Sequence, residues 1–177
     1  MTKSRLCGII FKIVAYATVA DATKRKETKI RMINLSKYFG IITRCSMMFI
    51  GDKLSEYGLA GHHHTYIRAV CDNPGISQEA LAKRNYINKS NVARNLTTLE
   101  ESGYIRRETS KNDKRVTLVY PTEKAFEVMS VINQIVNECN TYFLSALNPC
   151  EREEFVRMLG KLELRASEYY NERGDGE

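Results

Sequence analysis

Residues 74–125 read PGISQEALAKRNYINKSNVARNLTTLEESGYIRRETSKNDKRVTLVYPTEKA, and the changes of pattern within them decide the fold. Ser77 precedes Gln78–Arg84, a short helical run with Ala80 and Leu81 as its buried positions, and the Ser77 hydroxyl suits an N-cap. Asn85-Tyr86-Ile87 follows as a tight turn, and Asn88 caps a second helix in which Val92, Leu96 and Leu99 stack on one face until Gly103 closes it. Two helices across a tight turn, the second with a polar outer face, are the plan of a helix-turn-helix. The apolar period then changes to that of extended chain. Tyr104–Thr109 and Val116–Tyr120 predict two strands around the polar, basic loop Ser110–Arg115, so a hairpin wing follows the second helix.

Helices flank this unit on both sides. Upstream, Leu35, Tyr38, Phe39, Ile42, Cys45 and Phe49 keep helical spacing and predict an amphipathic helix from Asn34 to about Ser55, with a stop near Gly58. After His62-His63-His64 a short helix is expected over Thr65–Cys71, ending at the Asn73-Pro74-Gly75 turn. Downstream, Pro121-Thr122 starts a long helix to about Leu147, with Phe126, Met129, Ile132, Val136, Cys139 and Phe143 at helical intervals. A last helix opens with Asn148 as cap, Pro149 at its first position and Glu151 at its third; Phe155, Met158, Leu159, Leu162 and Ala166 line one face. The fold class is mainly α: a winged helix-turn-helix with a short β-hairpin, between N- and C-terminal helices.

Charge follows the same division. The chain has 177 residues and a net charge of +6. Nine basic and four acidic residues lie between Lys83 and Arg115, whereas Val116–Glu177 carries six basic and eleven acidic ones. A basic segment set against an acidic one suits a protein that turns a single face to phosphates. The five cysteines are odd in number, widely spaced and without a C-x-x-C pair, so they read as free thiols in a reducing, cytoplasmic setting rather than as a zinc knuckle or disulfide framework. No Gly-rich phosphate loop, G-x-S-x-G elbow, H-E-x-x-H or acid–base pair is present, which argues against an enzyme, and no cofactor is implied.

The first 31 residues differ in character. The apolar run Leu6–Ala20 is too short to span a bilayer as a helix and resembles a secretory h-region, which conflicts with a genome-reading role. The later motifs are more specific and outweigh it, so no membrane partner is expected. Met32, directly ahead of the first amphipathic helix, offers an alternative start that would make residues 1–31 an extension outside the native protein.

The quoted stretch resembles the MarR family of winged-helix transcriptional regulators. The resemblance is carried by the helix opening ISQEALA, the second helix KSNVARNLTTLEESG, and the Asp-x-Arg of the wing at Asp113 and Arg115. It implies a homodimer on double-stranded DNA, held by residues 32–60 and 122–177, with residues 61–121 as the DNA-binding domain. It also implies repression released by a small-molecule effector in the crevice between the two regions.

The outer face of the second helix then supplies DNA contacts: Lys89 and Ser90 to phosphate, Arg94 to guanine, Asn91 or Asn95 to adenine, with Thr98 beside them. Ser77 and Gln78 join this set from the preceding helix. In the wing, Arg115 is the candidate for the minor groove, Asp113 orients it, and Lys111 and Lys114 add counterion release. The candidate effector pocket comprises His62, His63, His64, Tyr66, Cys45 and Met48. Adjacent helical side chains point about 100° apart, so three histidines in a row cannot close one metal tetrahedron, and no metal site is assigned. Cys45 reads as a buried, inert thiol. Two alternatives stay open: a winged-helix module that docks on protein without reading bases, and a thiol- or metal-responsive variant of the same regulator.

Overall fold

The computed structural model describes residues 34–174; the N-terminal extension and the start at Met32 lie outside them. Helix α1 (Leu35–Leu54) begins at Asn34, whose Oδ1 accepts the Lys37 N–H at 3.0 Å, and runs into a single 3₁₀ turn (Ser55–Tyr57) closed by Gly58 in the left-handed region. Helix α2 (His63–Asp72) starts two residues earlier than the sequence suggests. The reason is local: His62 takes the cap position and its carbonyl accepts the Thr65 hydroxyl at 2.9 Å, so His63 and His64 become first-turn residues that face inward.

A short strand β1 (Ile76–Ser77), which periodicity does not show, pairs antiparallel with β3 (Thr117–Pro121), and β3 pairs with β2 (Ile105–Thr109). The expected two-stranded hairpin is therefore the larger part of a three-stranded sheet in the order β1-β3-β2. Two residues leave no periodicity to read; only the approach of β3, with Ile76 opposite Val119, creates the strand. Helices α3 (Gln78–Arg84) and α4 (Lys89–Glu101) carry the expected caps: Ser77 Oγ accepts from Ala80 N at 3.0 Å and Asn88 Oδ1 from Asn91 N at 2.8 Å. In α3 the buried pair is Leu81 and Ala82, and Ala80 is exposed, a correction of one position in the inward face. Gly103 has φ +75°, the left-handed conformation required of a C′ residue.

Helix α5 (Glu123–Leu144) leads away from the sheet, and α6 (Pro149–Gly174) starts with a reciprocal cap: Asn148 N–H donates to Glu151 Oε2 at 2.9 Å and Glu151 N–H to Asn148 Oδ1 at 3.1 Å. One core joins the C-terminal end of α1 (Ile50, Leu54), α2 (Ile67, Val70), Leu81, the α4 stripe Val92-Leu96-Leu99, Tyr104, Ile105, Val119, and Ala125, Val128, Ile132 and Ile135 of α5. Phe126 lies outside it at 54% exposure, because the inward face of α5 is turned to Ala125 and Val128 instead. Gly61 permits the backbone of the loop before α2 to lie on α1: a Cβ there would come within 2.1 Å of the Met47 carbonyl oxygen.

Outside this core the flanking helices keep their apolar side chains in the open. Leu35, Tyr38, Phe39, Ile41 and Ile42 of α1 are exposed, as are Val156, Met158, Leu162, Leu164 and Tyr169 of α6. No helix among the described residues is long and apolar enough to cross a membrane.

Candidate nucleic-acid interface

The direction of the wing is set by a contact that no sequence signal singles out. Glu100, near the end of α4, accepts from Arg107 of β2 at three points: the backbone N–H at 2.9 Å, Nε at 2.8 Å and Nη2 at 2.6 Å. The guanidinium holds the Glu100 carboxyl below the usual carboxylate range. Arg106 on the same strand lies over the Tyr120 ring of β3 at 4.4 Å and pairs with Glu108. Thr122 Oγ1 donates into the Gly103 and Tyr104 carbonyls at 2.7 and 3.0 Å, which fixes the start of α5 to the root of the hairpin. Helix and hairpin thus meet as one rigid corner.

At the tip, Ser110 N–H donates to Val116 O and Val116 N–H to Asp113 O, both at 2.9 Å, so the loop stays short and turned back on itself. Asp113 receives the backbone N–H of Arg115 at 2.9 Å and its guanidinium at 3.1 Å from both Nε and Nη2. These bonds depress the Asp113 carboxyl. They leave the Arg115 side chain 91% exposed, standing off the tip, with exposed Lys111 and Lys114 beside it.

On α4, Lys89, Ser90, Arg94 and Thr98 are exposed, and Arg94 Nη2 donates to Asn91 Oδ1 at 2.6 Å, a pre-set pair on the outer face. Lys89 meets Glu79 of α3 at 2.6 Å. The hairpin and the two helices converge on a cleft of about 260 Å³ lined by Ser77, Gln78, Lys89, Arg115 and Thr117. Of the side chains expected at the interface, Ser77, Gln78, Lys89 and Arg115 border this cleft; Ser90, Asn91 and Arg94 border a separate one, and Lys111, Asp113 and Lys114 border neither.

Asn95 departs from the expected set. Its amide turns toward α2: Oδ1 lies 2.7 Å from His62 Nε2, and Nδ2 donates to the Asn91 carbonyl at 2.8 Å and toward Tyr66 Oη at 3.3 Å. The residue sits beside the buried Leu96 position, so its side chain points sideways along α2 rather than outward.

Between α1, α2 and α4 lies a crevice of about 640 Å³, lined among others by Met47, His62, His63, Tyr66, Arg94 and Asn95. Of the residues expected to form an effector pocket, His62, His63 and Tyr66 border it. His64 faces a different cleft, with Arg68 and Arg84, and Cys45 and Met48 border neither. Met48 is 66% exposed, and the neighbouring Met47 takes the place expected of it. Cys45 is exposed rather than buried, because the part of α1 that carries it projects beyond the core. Burial drives His63 down to about 4, and Ala60 N–H donates to its Nδ1 at 3.1 Å, so the ring is neutral with its proton on Nε2. Burial lowers His64 as well, and its Nδ1 faces the Gly61 carbonyl. Among the described residues no three His, Cys, Asp or Glu side chains converge to hold a metal ion.

The sequence profile of the MarR family matches residues 57–116, which run from the end of the 3₁₀ turn to the base of β3. The chain is 30% identical over 102 residues to the transcriptional regulatory protein for the hcr operon of Thauera aromatica; the match covers 58% of this chain and 61%, under two thirds, of that protein. It is 31% identical over 99 residues to the transcriptional regulator HosA of Escherichia coli O157:H7, covering 56% of this chain and 73% of HosA. A MarR-family transcriptional regulator from Listeria monocytogenes, solved in complex with a 26-mer DNA, superposes with a TM-score of 0.72 at 25% identity over 82% of this chain and 97% of its own. With its reader corner flanked by helices on both sides and matched in this way, the chain belongs to the MarR family of winged helix-turn-helix transcriptional regulators, a family of regulators and not of enzymes.

Proposed function

We propose that this chain acts as a homodimeric repressor on pseudo-palindromic duplex DNA, with α4 in the major groove and the wing in the adjacent minor groove. One observation carries the reading: Arg115, held out by Asp113, borders the same cleft as Lys89 and Ser77, and Arg94 is exposed on the helix that carries Lys89. In this reading Arg94 and Asn91 read base edges, Lys89, Ser90, Ser77 and Gln78 hold phosphates, and Arg115 enters a narrowed minor groove with Lys111 and Lys114 along its flanks.

Dimerisation follows from the apolar faces of α1 and α6. Leu35 and Ile42 of α1 and Leu162 of α6 face water, and apolar helix faces of this kind are what a second copy covers. Residues 61–121 are then the reader, and α1, α5 and α6 the dimer platform. Two readers related by a two-fold axis meet the duplex about one helical turn apart. The crevice of about 640 Å³ is where an effector would act, because it touches both α1 and the reading helix. Selection of duplexes from a random library with the full chain tests the reading. The expected product is an inverted repeat bound with a steep salt dependence; recovery of unselected sequence, or binding indifferent to salt, would overturn it.

A further inference from the structure

Asn95 lies within the polar stretch of α4 that faces DNA in the proposed function, yet both ends of its amide are already engaged. A side-chain amide that reads adenine must offer its oxygen and its nitrogen together to the base edge. Here Nδ2 stands between two acceptors, the Asn91 carbonyl at 2.8 Å and Tyr66 Oη at 3.3 Å. That fixes the amide orientation, since the reverse would set two oxygens against each other. Oδ1 is left for the histidines: His62 Nε2 lies 2.7 Å away and must be the donor, and the buried His63 side chain also hydrogen-bonds Asn95. Tyr66 itself is anchored in the core at 1% exposure, whereas His62 is exposed at the head of α2. The Asn91 residue that Asn95 grips through its carbonyl is the one whose side chain holds Arg94 at 2.6 Å.

We propose that His62, Asn95 and Tyr66 form a latch that fixes the rotation of α4 on α2, making Asn95 and His62 positioning residues for Arg94 rather than readers of DNA. The inference rests on the DNA-reading assignment for its consequence, but the latch itself is a property of the free protein. A helix free to roll by a fraction of a turn carries Arg94 away from the base edge while the phosphate contacts made by α3 and the wing survive. Loss of the latch therefore blunts discrimination together at the base pairs that α4 reads, instead of exchanging one preferred base for another.

The test is a double-mutant cycle on the full chain with His62→Phe and Asn95→Ala, read by thermal melting without DNA and by binding to the selected duplex and its single-base variants. His62→Gln serves as the conservative control, because its amide N–H can replace Nε2. Each single variant should weaken binding to the best duplex by about 3- to 10-fold, with discrimination reduced together at the base pairs that α4 reads. The double variant should be no worse than the worse single one in either readout, and His62→Gln should restore binding. Additive losses in melting, or an Asn95→Ala variant that changes preference at one base pair while His62→Phe binds normally, would overturn the latch. If the wild-type chain selects no duplex, the DNA-reading assignment falls and the melting cycle alone decides the latch: coupled losses uphold it, additive ones overturn it.

Discussion

Asp113 gives one oxygen to both the backbone N–H (2.9 Å) and Nε (3.1 Å) of Arg115, and its other oxygen to Nη2 (3.1 Å), so a single carboxylate sets both the turn and the aim of the exposed cation. In solution such an exposed pair contributes little to stability. Its effect is conformational: it lowers the number of rotamers Arg115 must give up on entering a groove in the proposed binding mode.

This pair yields a prediction in which two physical effects have opposite signs. Asp113→Ala removes a negative charge from the interface, and electrostatics alone would tighten DNA binding. If orientation dominates, binding weakens by about 1 kcal/mol with little change in melting temperature. Fluorescence anisotropy at two salt concentrations distinguishes them, and tighter binding at both would refute the orienting role.

Arg94 and the wing lysines should fail in different ways. Arg94→Ala should cost about 1–3 kcal/mol on the selected duplex and relax preference at one base pair of each half-site. Lys111→Ala or Lys114→Ala should weaken binding to all duplexes alike and reduce the salt slope by about 1. Equal loss for Arg94→Ala on selected and random DNA would remove it from base reading.

Stability should fall on mild acidification. His63 titrates near 6.5 when unfolded and at about 4 when folded, so the unfolded chain binds the proton first. Its contribution is intact above pH 6.5 and is lost as pH drops toward 4, up to about 3 kcal/mol for a fully realised shift; His64 acts in the same direction. Denaturant midpoints between pH 7.5 and 4.5 would show the slope. His63→Asn, which keeps an acceptor near Nδ1 for the Ala60 N–H, should flatten it.

The proposed dimer should come apart when its exposed apolar faces are charged. Ile42→Glu with Leu162→Glu places charges on exposed apolar positions of α1 and α6, neither of them in the core of the single chain. Sedimentation should report a folded monomer with strongly reduced affinity for the inverted repeat. A dimer that persists would place the interface elsewhere.

Gly61→Ala should destabilise by about 1–3 kcal/mol, because its Cβ would sit 2.1 Å from the Met47 carbonyl oxygen and drive α1 from the head of α2. Chemical denaturation measures this, and a neutral effect would show that the loop gives way.

The order of helices, the caps at Ser77, Asn88 and Asn148, the C′ glycine at Gly103 and the basic loop of the wing are all local properties, written in spacings of a few residues, and are legible from those spacings alone. It also marked Val92, Leu96 and Leu99 as one buried stripe, which the structure places in the core. Strand β1, the sideways turn of Asn95 and the exposure of Cys45 depend on which surfaces meet across dozens of residues, and the Glu100–Arg107 brace, spanning seven, depends on the angle at which the hairpin leaves α4. Periodicity says that α1 and α6 have apolar faces, but not that these faces point away from the chain's own core. The physical reason is the same throughout: a helix or a cap is stabilised by neighbours in sequence, whereas the direction of a side chain's last bonds is chosen by whatever the rest of the fold brings next to it.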